Sequence, residues 1–280
     1  MVNRYALKIA YLGKNYRGFQ RQRAGIPTIE GVLIDTLTNL GILEKLTKAR
    51  YSAAGRTDSG VHALGQVIAF DTNRNVIHLE ELNHYLPDDI YAWGIAKVDS
   101  KFNARRSAKS RTYKYFIPYT GEDLTLMEEG LAKLLGTHNF EKYCKKPDIL
   151  PSGHQKSTIL TLQEASVQYL KEKNLLMFDF SSESFLWNQV RKMVSMILAI
   201  GRKKYTLETL QNSLDPNSDI PRGGIRPALP DGLVLYDVRY SDVEFSTIKK
   251  KNLIEKSIVA KMNSYSSILA VLGILSENIL

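Results

Sequence analysis

Apolar and polar residues alternate from Arg4 to Leu12, putting Tyr5, Leu7, Ile9 and Tyr11 on one face, which predicts a half-buried strand. A Gly- and Arg-bearing loop follows, from Gly13 to Gly25. Ile29, Val32, Leu33, Leu37 and Leu40 then recur at helical spacing, with Thr28 placed as N-cap, Glu30 in the first turn and Gly41 as the stop. Strands are predicted at 50–54 and 66–71, a short helix at 79–86 ended by Pro87, and a further strand at 90–98.

The second half repeats the alternation of strands and helices. Leu124 to Leu135 is apolar-periodic and stopped by Gly136. Strands at 156–170 and 175–181 are joined by a Lys-Glu-Lys-Asn turn. From Phe185 to Ile200, Leu186, Val190, Met193 and Ile197 form a helical stripe, with Gly201 beyond it. A short helix at 206–214 ends before Pro216, and Leu233 to Tyr240 reads as the last strand. Pro118 and Gly121 suggest a crossing between halves, giving units 1–117 and 118–245 and a helical extension 246–280. No tandem repeat or low-complexity stretch is visible.

Composition narrows the class. At 280 residues, 44% hydrophobic and 24% charged, the chain is an ordinary globular protein. Its net charge of +9 points to a polyanion, nucleic acid before an acidic membrane surface. A single cysteine, Cys144, precludes an intrachain disulfide and a thiolate metal cluster. Met1 leads straight into a strand-like run, and the longest apolar run, Ile268 to Leu275, is broken by Gly273 and too short to span a bilayer. A soluble, cytoplasmic protein is expected. No G-x-G-x-x-G follows a strand, no phosphate-binding G-x-x-x-x-G-K-[ST] occurs, and His, Cys and Asp are not clustered at metal spacing, so neither cofactor nor metal is expected.

The basic residues are grouped. Arg17, Arg21 and Arg23 are interleaved with Tyr16, Phe19, Gln20 and Gln22, which suits phosphate contact and base stacking or a solvated loop. Between Lys97 and Lys114 lie seven basic residues, Arg105, Arg106 and Arg111 among them, beside Phe102, Tyr113 and Tyr115. That is an RNA footprint or a protected strand edge. Loops at 145–157 and around Arg222 and Arg226 are also basic. Residues 54–62, Ala-Gly-Arg-Thr-Asp-Ser-Gly-Val-His, set Asp58 in a loop bracketed by Gly55 and Gly60. On its own such an aspartate can simply close an Asx turn. Arg191, one residue round from the 185–200 stripe, has Trp187, Val194 and Leu198 as neighbours and needs a carboxylate if buried or solvent if it snorkels.

The whole 54–62 string resembles the active-site motif of the tRNA pseudouridine synthase A family, G-R-T-D-x-G-V-H. Further blocks in the same order resemble that family: Tyr16 to Gln22 its Y-x-G-x-Q-x-Q run, Phe102 to Tyr115 its F-x-A-R…R-x-Y-x-Y block, Phe185 to Met193 its V-R-x-M motif, and Ala228 to Leu233 its A-P-P-E-G-L, with Leu229 and Asp231 departing. His138-Asn139-Phe140 resembles G-x-H-D-F with Asn for Asp. The resemblance covers about residues 4 to 240.

The resemblance implies an α/β (α+β) fold in which two related halves join into one continuous, mainly antiparallel sheet, with helices on one face and an RNA-binding cleft on the other. It implies Asp58 as nucleophile, Tyr113 as the active-site tyrosine and Arg191 as the partner of Asp58, without cofactor. Arg56, Arg17, Gln20, Arg21, Arg23, Arg105, Arg106 and Arg111 become candidate RNA contacts. The implied substrate is tRNA, at uridines of the anticodon stem-loop around positions 38 to 40, or another tRNA or RNA site. The wording FLWNQVRKM leans toward archaeal and eukaryotic branches. Bacterial members are homodimers, which the 246–280 extension leaves open for this chain. The competing classes are a non-catalytic RNA-binding protein on the same fold and a membrane-surface binder through the lysines of 249–262.

Overall fold

A computed structural model describes residues 2–145, 157–220, 223–249 and 252–279. Arg222 and most of the basic 145–157 loop fall outside them. The strands are β1 (Asn3–Tyr11), β2 (Ser52–Ala53), β3 (His62–Thr72), β4 (Ile90–Lys97), β5 (Ser110–Pro118), β6 (Gly136–Asn139), β7 (Ile159–Leu170), β8 (Leu175–Ser182), β9 (Leu233–Arg239) and β10 (Ser246–Thr247). The helices are α1 (Ile29–Asn39), α2 (Leu79–Tyr85), α3 (Leu124–Leu134), α4 (Gln189–Gly201), α5 (Leu207–Leu214) and α6 (Asn252–Ile279).

One mixed sheet contains every described strand, in the order β10-β4-β1-β3-β9-β5-β8-β7-β6, with β2 paired to β3. Each half repeats the spatial order last, first, middle: β4-β1-β3, then β9-β5-β8. The neighbours are antiparallel except at the seam, where β3 runs parallel to β9 through His62–Val234 and Ala63–Leu235. The backbones can meet there because Gly65 has no side chain: a Cβ would lie 2.6 Å from the Tyr236 carbonyl.

β5 lies between β8 and β9 in the sheet.

Two apolar cores lie under the helices. One packs Leu33 and Leu37 of α1 and Leu82 of α2 against Tyr5, Leu7 and Ile9 of β1. The other packs Met127 and Leu131 of α3 and Met193, Val194 and Ile197 of α4 against Tyr115, Phe178 and Phe180. Burial of this kind is the main source of stability. Local chemistry sets the ends of the helices. Thr28 accepts from the Gly31 amide at 3.2 Å, and Gly41 turns the chain out of α1 with φ +63°.

α4 begins four residues later than the apolar pattern predicts. Asn188 sits at φ +68°, left-handed and incompatible with a helix interior, so Phe185 to Asn188 form a turn ahead of it. That break matters for the site.

Candidate active site

The loop at 54–61 is tied down residue by residue. Gln66, fully buried on β3, holds Gly55 from both sides: its Nε2 donates to the Gly55 carbonyl at 3.0 Å and its Oε1 accepts from the Gly55 amide at 3.2 Å. The Thr57 hydroxyl bonds the Tyr11 phenol at 2.8 Å, and the Thr57 carbonyl accepts from the Phe19 amide at 3.0 Å. The Ser59 hydroxyl donates to the Tyr16 carbonyl at 3.1 Å. Asp58 closes a turn in which the Val61 amide donates to its carbonyl at 3.2 Å, and Gly60 at φ +83° supplies the left-handed residue that turn needs. The turn is closed by main chain, not by the Asx-type side-chain bond the sequence allows, and the carboxylate points elsewhere.

It points to Arg191. Arg191 Nη1 lies 3.3 Å from Asp58 Oδ2, with the side chains 14% and 24% exposed. The same Nη1 donates to Asn188 Oδ1 at 3.3 Å, and Nε donates to the Ala228 carbonyl at 2.6 Å. The sequence suggests a bidentate grip. The structure instead gives one long contact to the carboxylate and anchors the guanidinium through backbone. Asp58 Oδ1 has no hydrogen-bond partner among the described residues, so one carboxylate oxygen is free to meet a ligand.

Tyr113 completes the group. From β5 its ring meets Phe185 edge-on, centroids 5.2 Å apart, and its hydroxyl lies 3.9 Å from where a Cβ on Gly55 would sit. Burial, reinforced by the negative charge of Asp58 and opposed by Arg111, pushes its phenol up to about 12. Tyr113 therefore keeps its proton at neutral pH.

Arg191 reaches Asp58 from α4, and Tyr113 shares its strand face with Tyr115, which lies in the core under α3 and α4. Arg111 has a different setting. Its buried guanidinium donates to the carbonyls of Ala54 (3.1 and 2.8 Å), Arg105 (2.7 Å) and Glu183, so it braces the loop from inside. Burial lowers its pKa. In contrast Arg17, Gln20, Arg21, Arg23, Arg56, Arg105 and Arg106 are exposed. Their side chains carry no hydrogen bond or ion pair among the described residues.

The sequence alone did not single out Gln66, His62, Asn188 or the 228–231 loop as positioning elements. That loop presents three carbonyls: Ala228 to Arg191, Leu229 to the Tyr115 hydroxyl (3.0 Å) and Asp231 to His62 Nε2 (3.1 Å). Pro230 lies against Gly60, 3.0 Å from a Cβ there. His62 Nδ1 accepts from the Gly13 amide at 3.1 Å, which assigns the proton to Nε2, and burial lowers its pKa, so the ring is neutral. A polar Gln66 inside the apolar run of β3 was the one signal in the pattern. The carbonyls left none.

A paired carboxylate and arginine, with an aromatic phenol beside them and exposed arginines without side-chain partners on the neighbouring loops, fits an enzyme acting on a polyanion. Comparison with known proteins places it further. The model of the tRNA pseudouridine synthase family matches residues 8–91 and 131–241. The chain is 42% identical over 240 residues to tRNA pseudouridine synthase A of Methanosarcina mazei, covering 85% of each chain, and 38% identical over 242 residues to that of Archaeoglobus fulgidus, covering 86% of this chain and 85% of that one. This chain belongs to the tRNA pseudouridine synthase family. No helix among the described residues is long and apolar enough to cross a membrane.

Proposed function

We propose that this chain isomerises uridine to pseudouridine in tRNA, with Asp58 as the residue that meets the sugar. The observation that carries the reading is the Arg191–Asp58 pair at 3.3 Å, formed between the two most specific motifs of the chain, 133 residues apart. In the reaction the N1–C1′ bond of uridine breaks, a C5–C1′ bond forms, the C5 proton leaves and N1 ends protonated, so no electrons or co-substrate enter. Positive charge develops on the sugar as the base departs, and an ionised carboxylate at C1′ answers it. Arg191 fixes the carboxylate, and its own anchor on the Ala228 carbonyl keeps it from following the substrate.

Tyr113, protonated at neutral pH, stacks on the uracil and offers its hydroxyl as a donor. A uridine inside a stem must leave its stack to reach this site. Arg56, beside Asp58 and exposed, takes the RNA backbone or the space the base vacates. Arg17, Gln20, Arg21 and Arg23 on one side, and Arg105 and Arg106 on the other, hold flanking phosphates. The anticodon stem-loop is the target site supported by resemblance. The same reading carries a cytoplasmic enzyme working without cofactor, and a homodimer bound to one tRNA, which sedimentation would check.

Unmodified tRNA transcripts incubated with the protein, then treated with carbodiimide and primer-extended, test it. Reverse-transcription stops in the anticodon arm with wild type, absent with Asp58→Ala, are expected. Stops elsewhere move the target site. Tight tRNA binding without any stop overturns the enzymatic reading in favour of an RNA-binding protein.

A further inference from the structure

Trp187 is 48% exposed although tryptophan is a large apolar side chain to leave in water. It belongs to the turn that the left-handed Asn188 forces ahead of α4, and the residues around it line the site. Phe185 touches Tyr113, and Asn188 shares with Asp58 the same nitrogen of Arg191. Trp187 is thus the chain neighbour of the residue that shares a guanidinium nitrogen with the candidate nucleophile.

Its setting is built rather than incidental. The Lys145 amide donates to the Trp187 carbonyl at 3.0 Å, which fixes the turn, and Lys145 Nζ lies 4.3 Å from the ring centroid. One face of the indole is thus covered by an ammonium, and about half of its surface remains open. An aromatic face with a cation attached is the arrangement that takes an unpaired base on the ring and its phosphate on the charge.

We infer that Trp187 is the stacking platform for a base next to the target uridine, with Lys145 holding the adjoining phosphate. The inference rests on the proposed function and adds to it the place where the strand flanking the flipped nucleotide is held. Every base has a π-face, so the platform lends affinity without selecting sequence.

Steady-state kinetics on an unmodified tRNA transcript test it with three variants. Trp187→Ala and Trp187→Leu are expected to raise KM roughly 5- to 150-fold with kcat little changed, whereas Trp187→Phe recovers most of the loss. Melting temperatures stay close to wild type, because the side chain is exposed. Trp187→Leu performing as well as Trp187→Phe would reduce the role to apolar bulk and overturn stacking, as would an unchanged KM in Trp187→Ala. A second readout does not need turnover. In an Asp58→Ala, Trp93→Phe background Trp187 is the sole tryptophan. Adding tRNA should quench its emission and shield it from acrylamide, and full acrylamide access at saturating tRNA overturns the inference. Product from wild type with these negative results defeats this inference alone, while absence of product from wild type defeats the proposed function.

Discussion

Two of the arginine–aspartate contacts among the described residues are of opposite design. In the first, Arg4 and Asp71 are buried, 4% and 8% exposed, and meet at 2.6 Å, while Arg50 takes the second oxygen of Asp71 at 2.5 Å. The remaining donors of Arg4 go to the carbonyls of Phe102 (2.6 Å) and Arg50 (3.0 Å). Burial alone would raise the Asp71 carboxyl, but hydrogen bonds from Arg50 and Arg4 outweigh it and hold it below the ordinary range. Both oxygens of Asp71 are taken, so the carboxylate has none left to meet a ligand. In the second, Arg191 touches Asp58 once, at 3.3 Å, at a partly open site. Its best hydrogen bond goes to backbone, and one carboxylate oxygen stays free. The same residue types make a clamp when saturated and leave an oxygen available to a ligand when one position is left open.

The largest effect expected is on turnover. Asp58→Asn keeps the shape of the loop and should lower product formation to about a ten-thousandth of wild type or less, read by primer extension, with the melting temperature nearly unmoved. Next come the arginines, which should separate cleanly. Arg191→Leu is expected to cost about a hundredfold or more in turnover with modest loss of stability. Arg4→Leu is expected to cost about 2–4 kcal/mol in urea unfolding, because it leaves one oxygen of a buried carboxylate unpaired while Arg50 keeps the other, with turnover per folded molecule unchanged. If Arg4→Leu proved as inactive as Arg191→Leu while still folded, the division between clamp and reactive pair would fail.

A smaller effect distinguishes the pairs by pH. Asp71 has a depressed folded pKa, so its stabilisation is present above the ordinary value near 3.8 and is lost as pH falls through the lower folded value. The stability penalty of Asp71→Asn, measured by urea unfolding at successive pH values, should therefore shrink as pH drops below about 4. A penalty that stayed constant through that range would contradict the hydrogen-bonded clamp.

The smallest effects are predicted where side chains are idle. Leu229, 73% exposed, meets the site through its carbonyl. Leu229→Ala should change stability by less than about 0.5 kcal/mol and leave turnover near wild type. Gly60→Ala in the same contact should do clear harm, since it meets φ +83° and a Cβ only 3.0 Å from Pro230. The departure from the family pattern at 229 thus falls where the backbone is used.

Much of the fold was legible. β1 and α1 were readable because alternation and helical spacing report burial directly, and Thr28 and Gly41 end α1 by local chemistry. The start of α4 was misread because the apolar stripe continues back through Leu186, and only the left-handed Asn188 interrupts it. The 54–62 motif and Arg191 were legible as chemistry. Arg111 was not: in a basic run it resembles its neighbours, and whether a guanidinium faces solvent or three carbonyls depends on what lies beneath it.

The sequence by itself determined the elements, the basic character and the motifs that carry Asp58 and Arg191, because periodicity, capping and motif spacing are properties of neighbouring positions. The tertiary structure decided that Asp58 and Arg191 meet, that Arg111 is buried against carbonyls while other arginines are exposed, and that backbone carbonyls at 228–231 hold Arg191, Tyr115 and His62. Those facts depend on contacts between residues far apart in the chain, such as Gly13 with His62 and Ala228 with Arg191, and on main-chain atoms that every residue possesses alike.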